Sequence, residues 1–234
     1  MSVVIALRDE KNKRFALGAD GQVTRGQLKM TLPSSCGKIW QISDGIIMGG
    51  VGSLRDIQIV RASALILPTE FLSEVEINEI WIINCLVPRI FTALREQKRL
   101  YRDKDNEIEY MESMFIFAID DNAFIIDSSG GVIPVDEYCA IGSGEEVAIG
   151  VLEATRDNKE MSVQDRILAA INACADKTIY VNDAADILYT AEDIETIADE
   201  KLLTLLLDKW KFLSNDDKDM IYDILENTTA KEDK

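Results

Sequence analysis

The residue type that most limits the chemistry of this chain is one that it lacks, because none of its 234 residues is histidine. Ser-His-Asp and Cys-His catalysis are therefore excluded, together with the commonest sets of zinc ligands. The four cysteines are scattered without a CxxC pair, which predicts reduced, buried thiols: Cys36, Cys85, Cys139 and Cys174. A hydroxyl nucleophile in this chain needs a base of another kind.

A free α-amino group is a base that needs no histidine, since its ordinary pKa of about 7.7–8.0 lets it accept a proton near neutral pH. A hydroxyl residue at the start of a chain supplies both the nucleophile and this amine. Ser2 follows the initiator Met1, and a small second residue such as serine generally permits removal of the methionine. Serine after the initiator is common in proteins of every kind, so Ser2 alone indicates little.

Short glycine-containing and polar segments recur along the first four-fifths of the chain. They are 2–6, 18–24, 38–39, 49–53, 140–144 and 179–182. In their order and spacing these segments resemble the HslV peptidase and, more distantly, the β-subunits of proteasomes. Each segment alone is weak evidence, and together they are specific for the fold.

The resemblance implies an α+β fold, the four-layer αββα sandwich of the N-terminal-nucleophile (Ntn) hydrolases. In this family the nucleophile is usually threonine, and the matching residue here is Ser2. Ser2 has the hydroxyl but lacks the methyl group that restricts χ1. The resemblance thus implies a self-compartmentalising peptidase that uses an N-terminal serine after removal of Met1.

The resemblance also implies roles for four further residues. Lys38 matches the family's active-site lysine, a cation that lowers the pKa of the terminal amine, and Lys29 is a competing candidate with poorer spacing. Asp20 matches the carboxylate that pairs with this lysine. Gly50 matches the residue whose backbone N–H faces the oxyanion, and Ser143 matches a serine near the terminal amine.

Each of these residues also has an ordinary structural interpretation. Asp20 precedes a glycine, which is a common turn pair. Gly49, Gly50 and Gly52 allow close packing or a positive φ. Ser143 stands just before a predicted helix, where it would serve as the N-cap.

The resemblance implies no required cofactor but does imply a structural cation. Proteins of the HslV type tend to bind a monovalent cation through backbone carbonyls, and the matching positions are Ala175, Thr178 and Val181. A structural Na⁺ or K⁺ is therefore expected there. The additional aspartate near the proteasome nucleophile has no clean match: Asn182 and Asp183 lie in the right region, and neither is assigned.

The chain is acidic, with a formal net charge of −17. This charge favours solubility and disfavours binding to nucleic acid or to anionic membranes. No run of about 18 apolar residues predicts a membrane span, and the first residues lack the basic leader of a signal peptide. Cytoplasmic residence is therefore expected.

Hydrophobic periodicity indicates the elements that must position these residues. Hairpins are predicted from strands at 3–7 and 14–18, at 38–42 and 46–48, and at 113–119 and 123–126. Further strands are predicted at 132–134, 138–141 and 178–181, and the stretch 99–109 is predicted to be a charged loop. Helices are predicted at 53–65, 72–100 with a kink at Pro88, 145–154 and 163–175. This order is typical of stacked sheets covered by helices on both sides.

The last part of the chain differs in composition from the rest. It is strongly acidic, and apolar residues at helical spacing form a stripe that we expect to be buried: Leu202, Leu203, Leu206, Leu207, Trp210 and Leu213. We therefore predict two domains, an Ntn-hydrolase domain at 1–190 and an acidic helical extension with a disordered tail at 191–234.

The resemblance implies homo-oligomeric stacked rings, hexameric as in HslV or heptameric as in proteasomes, that act on polypeptide substrates. It also implies an ATP-dependent unfoldase, which would be a separate protein because this chain contains no P-loop. Two other interpretations remain open. One is a catalytically silent ring or scaffold subunit that retains Met1, and the other is a small-molecule amidase.

Overall fold

The computed structural model of the protein describes residues 2–25, 28–64, 77–102 and 108–191. By its contacts the chain divides into two units after Ala191. The predicted apolar stripe, helical extension and disordered tail lie outside the described residues and stay predictions.

The strands are β1 Val3–Asp9, β2 Arg14–Asp20, β3 Gln22–Arg25, β4 Leu28–Thr31, β5 Ile39–Ser43, β6 Ile46–Val51, β7 Tyr101–Arg102, β8 Glu109–Tyr110, β9 Met114–Ile119, β10 Asn122–Ile126, β11 Val132–Val135, β12 Tyr138–Gly142 and β13 Ala185–Tyr189. The helices are α1 Leu54–Ala64, α2 Glu79–Trp81, α3 Val87–Glu96, α4 Glu145–Ala154 and α5 Val163–Lys177. A π-helical turn at Ile82–Leu86 joins α2 to α3. No helix in the described part of the chain has the length and apolar character of a membrane span.

Two antiparallel sheets form the centre of the molecule. One has the strand order β12-β1-β2-β13 and the other has the order β11-β10-β9-β6-β5. Apolar side chains from both sheets meet between them, among them Val4, Leu17 and Ile116. The four-layer sandwich is completed by α4 and α5 on the first sheet and by α1 and α3 on the second.

The sequence of β1 explains its place in the middle of this sandwich. Val4 and Ala6 face the second sheet, whereas Val3, Ile5 and Leu7 pack under α4 and α5. All five side chains are buried. A continuous apolar run of this kind is typical of a strand that is covered on both faces.

Helix α5 begins at a capping box. Ser162 and Asp165 form this capping box, as their spacing predicts. Two predictions of strands need correction. The predicted strand at 178–181 is not a strand, because the strand that pairs with β2 is β13. The stretch between Asp20 and Lys38, for which no strand is predicted, contains the hairpin β3–β4.

The second helical region also differs from its prediction. In the described residues its first helix begins at Glu79, where the Asn78 side chain accepts a hydrogen bond from the Trp81 N–H. The predicted distortion near Pro88 takes the form of the π-helical turn before α3. The predicted charged loop at 99–109 contains the short strands β7 and β8.

Candidate active site

Asp20 and Lys38 form a buried ion pair at one end of the sandwich. Asp20 is the last residue of β2 and Lys38 precedes β5, so each sheet supplies one partner. The Lys38 Nζ donates to Asp20 Oδ1 at 2.7 Å, and the two side chains are 3% and 0% exposed. Burial lowers the pKa of Lys38 below its ordinary value, and the Asp20 carboxylate opposes this shift. Lys29, the competing candidate, lies on the exposed strand β4.

The Asp20 carboxylate also holds the backbone on both sides of the site. Its Oδ1 accepts from the Val3 N–H at 2.9 Å, and its Oδ2 accepts from the Gln22 N–H at 2.9 Å. The lysine and the start of β1 therefore share one carboxylate oxygen. This contact brings the charge of Lys38 close to the residue that precedes Val3.

Ser2 is buried and lies at the edge of a cavity of about 610 Å³. The residues that line this cavity are Ser2, Val51, Gly52, Ser53, Glu112, Met114, Gly142 and Ser143. The end of β12 packs directly on the Ser2 backbone, because a Cβ on Gly142 would lie 2.2 Å from the Ser2 carbonyl oxygen. Ser143 Oγ donates to that same oxygen at 3.3 Å.

The position of Ser143 separates its two interpretations. The N-cap of α4 is Gly144, and no side chain caps this helix. The interpretation of Ser143 as an N-cap is therefore wrong. Its hydroxyl contacts the backbone of Ser2 instead.

The Gly50 N–H is already used within the second sheet, where it donates to the Lys38 carbonyl oxygen at 2.9 Å. Gly50 is not among the residues that line the cavity. A Cβ at Gly50 would lie 2.8 Å from the Phe115 ring, so this glycine serves close packing. The predicted role of Gly50 as an oxyanion donor does not fit this hydrogen bond.

Gly52, two residues further along, lines the cavity and has a φ of +108°. Val51 still pairs with Met114 of β9, and the Ser53 N–H donates to Ser113 Oγ at 3.1 Å. The Gly52 N–H has no acceptor within the described residues. Among these neighbouring amides, that of Gly52 is the one left for a ligand. The sequence analysis did not select Gly52. Because N–H groups alternate sides along a strand, the N–H of a residue two positions after Gly50 faces the same side, and this alternation was the signal for Gly52.

The two buried cysteines are not arranged as nucleophiles. Burial raises the pKa of the Cys139 thiol to about 12 and that of the Cys174 thiol to about 11. Cys174 lies below the site and donates its thiol to the Gly144 carbonyl oxygen at 3.2 Å. The prediction of buried thiols is wrong for Cys36, which is exposed, and Cys85 is only partly buried.

The residues predicted to hold a cation lie at the C-terminal end of α5 and in the loop after it. Helix carbonyls are unpaired and negatively polarised at such an end. Ala175, Val181 and Gln22 line a second cavity of about 650 Å³. Thr178 Oγ1 and Gln22 Oε1 are buried without a hydrogen-bond partner in the described residues. The same part of the chain contains no cluster of three or more acidic or cysteine side chains suited to a metal.

Asn182 and Asp183, left unassigned by the sequence, belong to this second region. The Asn182 side chain accepts from the Gly21 N–H at 3.1 Å and donates to Thr31 Oγ1 at 3.0 Å. Asp183 lines the second cavity. Asn182 therefore supports the turn after Asp20.

Comparisons with known proteins agree with this architecture. Residues 10–189 match the family model described as proteasome subunit. The chain is 30% identical over 183 residues to the ATP-dependent protease subunit HslV of Borrelia hermsii, which covers 77% of this chain and 92% of that protein. It is 28% identical over 177 residues to the HslV subunit of Enterococcus faecalis, with 74% and 88% covered.

Two solved structures have a similar fold. Thiobacillus denitrificans BPH in complex with epoxomicin superposes with a TM-score of 0.64 at 17% identity, covering 80% of this chain and 97% of that one. The eukaryotic HslV from Trypanosoma brucei superposes with a TM-score of 0.56 at 20% identity, covering 80% and 98%. These likenesses confirm the sandwich that the sequence resemblance implies.

Proposed function

Because the chain belongs to the proteasome subunit family, we propose that it is a peptidase subunit of the HslV type whose nucleophile is Ser2, made N-terminal by removal of Met1. The observation that carries this proposal is the position of Ser2. It lies beside the cavity, its carbonyl is held by Ser143, and the next residue is bonded to the carboxylate that binds Lys38.

The reaction proceeds through an ester on Ser2. The Ser2 hydroxyl attacks the carbonyl carbon of the peptide bond, and the free Ser2 amine takes the hydroxyl proton. The tetrahedral intermediate collapses when its C–N bond breaks, and the leaving amine takes that proton. Water then attacks the ester, the Ser2 amine accepts a proton from it, and this proton returns to the serine oxygen as the acid product leaves.

Lys38 and Asp20 keep the Ser2 amine unprotonated and in position to act as the base. A nearby cation disfavours the protonated amine and lowers its pKa. Asp20 keeps Lys38 in place and, through the Val3 N–H, fixes the start of β1. This arrangement supports a role for the pair as a positioning and electrostatic device rather than as the proton acceptor.

We assign the oxyanion contact to the Gly52 N–H, which lines the cavity beside Ser2. Preorganised donors at the developing negative charge supply much of the rate enhancement in acyl transfer, and loss of one typically costs about 2.7–4 kcal/mol of transition-state stabilisation. The hydrogen bond from the Gly50 N–H to Lys38 keeps the adjoining strand β6 in register.

A structural Na⁺ or K⁺ at the carbonyls of Ala175, Thr178 and Val181 is part of the same proposal. The helix end that contributes these positions, and the two buried oxygens of Thr178 and Gln22, suit a cation. Its contribution would be to stiffen the loop between α5 and β13, which also supports the turn after Asp20 through Asn182.

The assembly is proposed from the relatives, which are named as subunits of ATP-dependent proteases. We propose homo-oligomeric stacked rings, fed with polypeptide by a separate ATP-dependent unfoldase. Native mass spectrometry of the purified protein tests the first part. Hexamers, heptamers or their stacked dimers are expected, and a purely monomeric protein at working concentration would contradict it.

The decisive experiment compares three forms of the chain. One begins at Ser2, one begins at Ser2→Ala and one retains Met1, each verified by intact mass. We expect hydrolysis of unstructured polypeptides by the first form alone, because the second lacks the nucleophile and the amine of the third is tied up in a peptide bond. Equal hydrolysis by the form that retains Met1 would overturn the proposal and favour another nucleophile.

A further inference from the structure

A polar cluster adjoins the cavity beside Ser2, and two of its members, Ser53 and Glu112, line that cavity. It consists of Ser53, Asp56, Arg99, Glu112 and Ser113, and is called the Asp56 cluster below. Asp56 lies in the first turn of α1, Arg99 follows α3, and Glu112 and Ser113 precede β9. The Asp56 side chain is fully buried, and Arg99 closes the cluster with 26% of its side chain exposed.

Asp56 is the centre of this cluster. Its Oδ1 accepts from Arg99 Nε at 2.7 Å, and its Oδ2 accepts from Ser113 Oγ at 3.2 Å. The hydrogen bond from Arg99 to the Asp56 carboxylate raises the pKa of Arg99 above its ordinary value. A buried carboxylate without such partners would be strongly unfavourable.

Both partners of Asp56 bind Ser53 in turn. Ser113 Oγ accepts from the Ser53 N–H at 3.1 Å, and Arg99 Nη2 donates to Ser53 Oγ at 3.0 Å. The backbone and the side chain of Ser53 are therefore each held by a group that Asp56 orients. Arg99 Nη2 also donates to Glu112 Oε2 at 3.1 Å, on the cavity rim.

The residue before Ser53 is Gly52, and it is pressed against the same segment. A Cβ at Gly52 would lie 2.2 Å from the Glu112 carbonyl oxygen and 2.8 Å from the Ser113 Cα. The φ of +108° adds a second reason for glycine at this position. The corner formed by Gly52 and Ser53 is thus packed on one side and hydrogen-bonded on the other.

We propose that Asp56 and Arg99 are positioning residues for hydrolysis: they fix the Gly52–Ser53 corner so that the Gly52 N–H points at the oxyanion. The inference rests on the proposed function and names residues that act through the backbone rather than by touching the substrate. An oxyanion donor works only when it is held in place before the charge develops. Asp56 and Arg99, which do not line the cavity, supply that constraint through Ser53.

The test compares Asp56→Asn with Asp9→Asn in the chain that begins at Ser2. Asp9 forms a buried pair away from the site, with Arg14 at 2.9 Å, at the far end of β1 and β2. Asp56→Asn should lower kcat about 100-fold with KM changed less than about twofold, because a donor displaced by about 1 Å loses most of its effect. Asp9→Asn should lower the Tm but leave kcat within about twofold of the wild type.

A second measurement separates a positioning role from a purely structural one. A peptide aldehyde adds the Ser2 hydroxyl and forms a tetrahedral hemiacetal whose former carbonyl oxygen takes the place of the oxyanion, whereas the corresponding peptide without the aldehyde binds only as a ground-state ligand. In Asp56→Asn the aldehyde should bind more weakly by the factor by which kcat/KM falls, and the plain peptide should bind as in the wild type. Equal weakening of both ligands would overturn the positioning role.

Ser113→Ala covers the case in which Asp56→Asn does not fold. It removes the Ser113 hydroxyl and leaves the Asp56–Arg99 pair. It should lower kcat about tenfold, because Ser53 loses the hydrogen bond to Ser113 but keeps the one from Arg99. An active wild type with unimpaired Asp56→Asn or Ser113→Ala would overturn the inference alone. A wild type that hydrolyses no polypeptide after removal of Met1 would overturn it together with the proposed function.

Discussion

The two ends of the hairpin formed by β1 and β2 each contain a buried ion pair, and only one of them adjoins the candidate site. At one end Lys38 Nζ lies 2.7 Å from Asp20 Oδ1, and at the other Arg14 Nε lies 2.9 Å from Asp9 Oδ2. All four residues are buried. Burial of an ion pair is therefore no sign of a catalytic site in this molecule.

The difference lies in what else the charged groups hold. The Arg14 guanidinium also donates to the Ala191 carbonyl oxygen at 2.8 Å and lies 4.2 Å from the centre of the Tyr189 ring, so it fastens the end of β13 to the hairpin. Asp20 holds the Val3 N–H, next to a cavity-lining serine. One pair closes the fold, and the other joins the fold to the start of the chain.

The largest expected effect separates these two pairs directly. Asp20→Asn leaves the Lys38 ammonium buried without its counter-charge and should lower the free energy of unfolding by about 3–5 kcal/mol. It should also abolish peptide hydrolysis, because asparagine has one acceptor oxygen where Asp20 uses two to hold Lys38, the Val3 N–H and the Gln22 N–H. Asp9→Asn should destabilise the fold and spare hydrolysis. Urea unfolding and a peptide assay on both variants check this, and loss of activity in both would erase the distinction.

The second effect compares two glycines: Gly52, which precedes α1, and Gly150, which lies within α4 on the other side of the sandwich. Gly52→Ala places a Cβ against the Glu112 carbonyl at a positive φ, and should cost about 1–3 kcal/mol of stability. Hydrolysis should fall with it, through the displaced amide. Gly150→Ala, in α4 with no atom within 4 Å of the new Cβ, should raise stability by about 0.8–1.0 kcal/mol without changing activity. Thermal unfolding and kcat of each variant decide the matter, and a stable, active Gly52→Ala would contradict the assigned role.

The third effect is on the amine of Ser2 in the form of the chain that begins at Ser2. Removing the Lys38 cation with Lys38→Met should raise the pKa of the amine, since both the loss of a positive charge and the freed Asp20 carboxylate favour the protonated amine. Less amine is then unprotonated at neutral pH, and the rise of activity with pH moves to higher pH. Arg14→Met should leave the amine pKa unchanged. The rate at which the Ser2 amine is acetylated, followed by mass spectrometry as a function of pH, measures the pKa of this amine. Identical profiles for the two variants would refute the electrostatic role of Lys38.

The smallest effect compares two serines that precede helices. Ser162 caps α5, so Ser162→Ala should cost about 1 kcal/mol of stability and no activity. Ser143 contacts the Ser2 carbonyl instead of capping α4, so Ser143→Ala should change stability little and lower kcat. Calorimetry measures the stability of both variants, and steady-state kinetics measures their kcat. A loss of stability without a loss of activity in Ser143→Ala would count against the place of Ser143 in the site.

Much of the fold could be predicted from local patterns. The hairpins β1–β2, β5–β6 and β9–β10 follow from apolar runs around short polar turns, and the capping box of α5 follows from the spacing of Ser162 and Asp165. The last strand could not be predicted this way. Segment 178–181 (Thr-Ile-Tyr-Val) has the higher strand propensity, but segment 185–189 is the one that pairs with β2 at the edge of the first sheet.

The candidate site shows the same division. Ser2, Asp20, Lys38 and Ser143 could be selected from the sequence because the resemblance matches them residue by residue. The Asp56 cluster could not, because Asp56 and Arg99 lie 43 residues apart and no local motif joins them. Their partnership depends on how the end of α3 packs beside the first turn of α1.

The sequence by itself limited the chemistry that is open to this protein, because a chain without histidine cannot use an imidazole as the base for a serine or cysteine nucleophile. Only the tertiary structure decided which atoms are free to take part. Strand pairing decides which backbone N–H groups already have an acceptor. The Gly50 N–H donates to the Lys38 carbonyl oxygen and is not available to a ligand, whereas the Gly52 N–H, in the corner after the strand, has no acceptor in the described residues. Residue types limit the reaction, and long-range pairing selects the groups that can perform it.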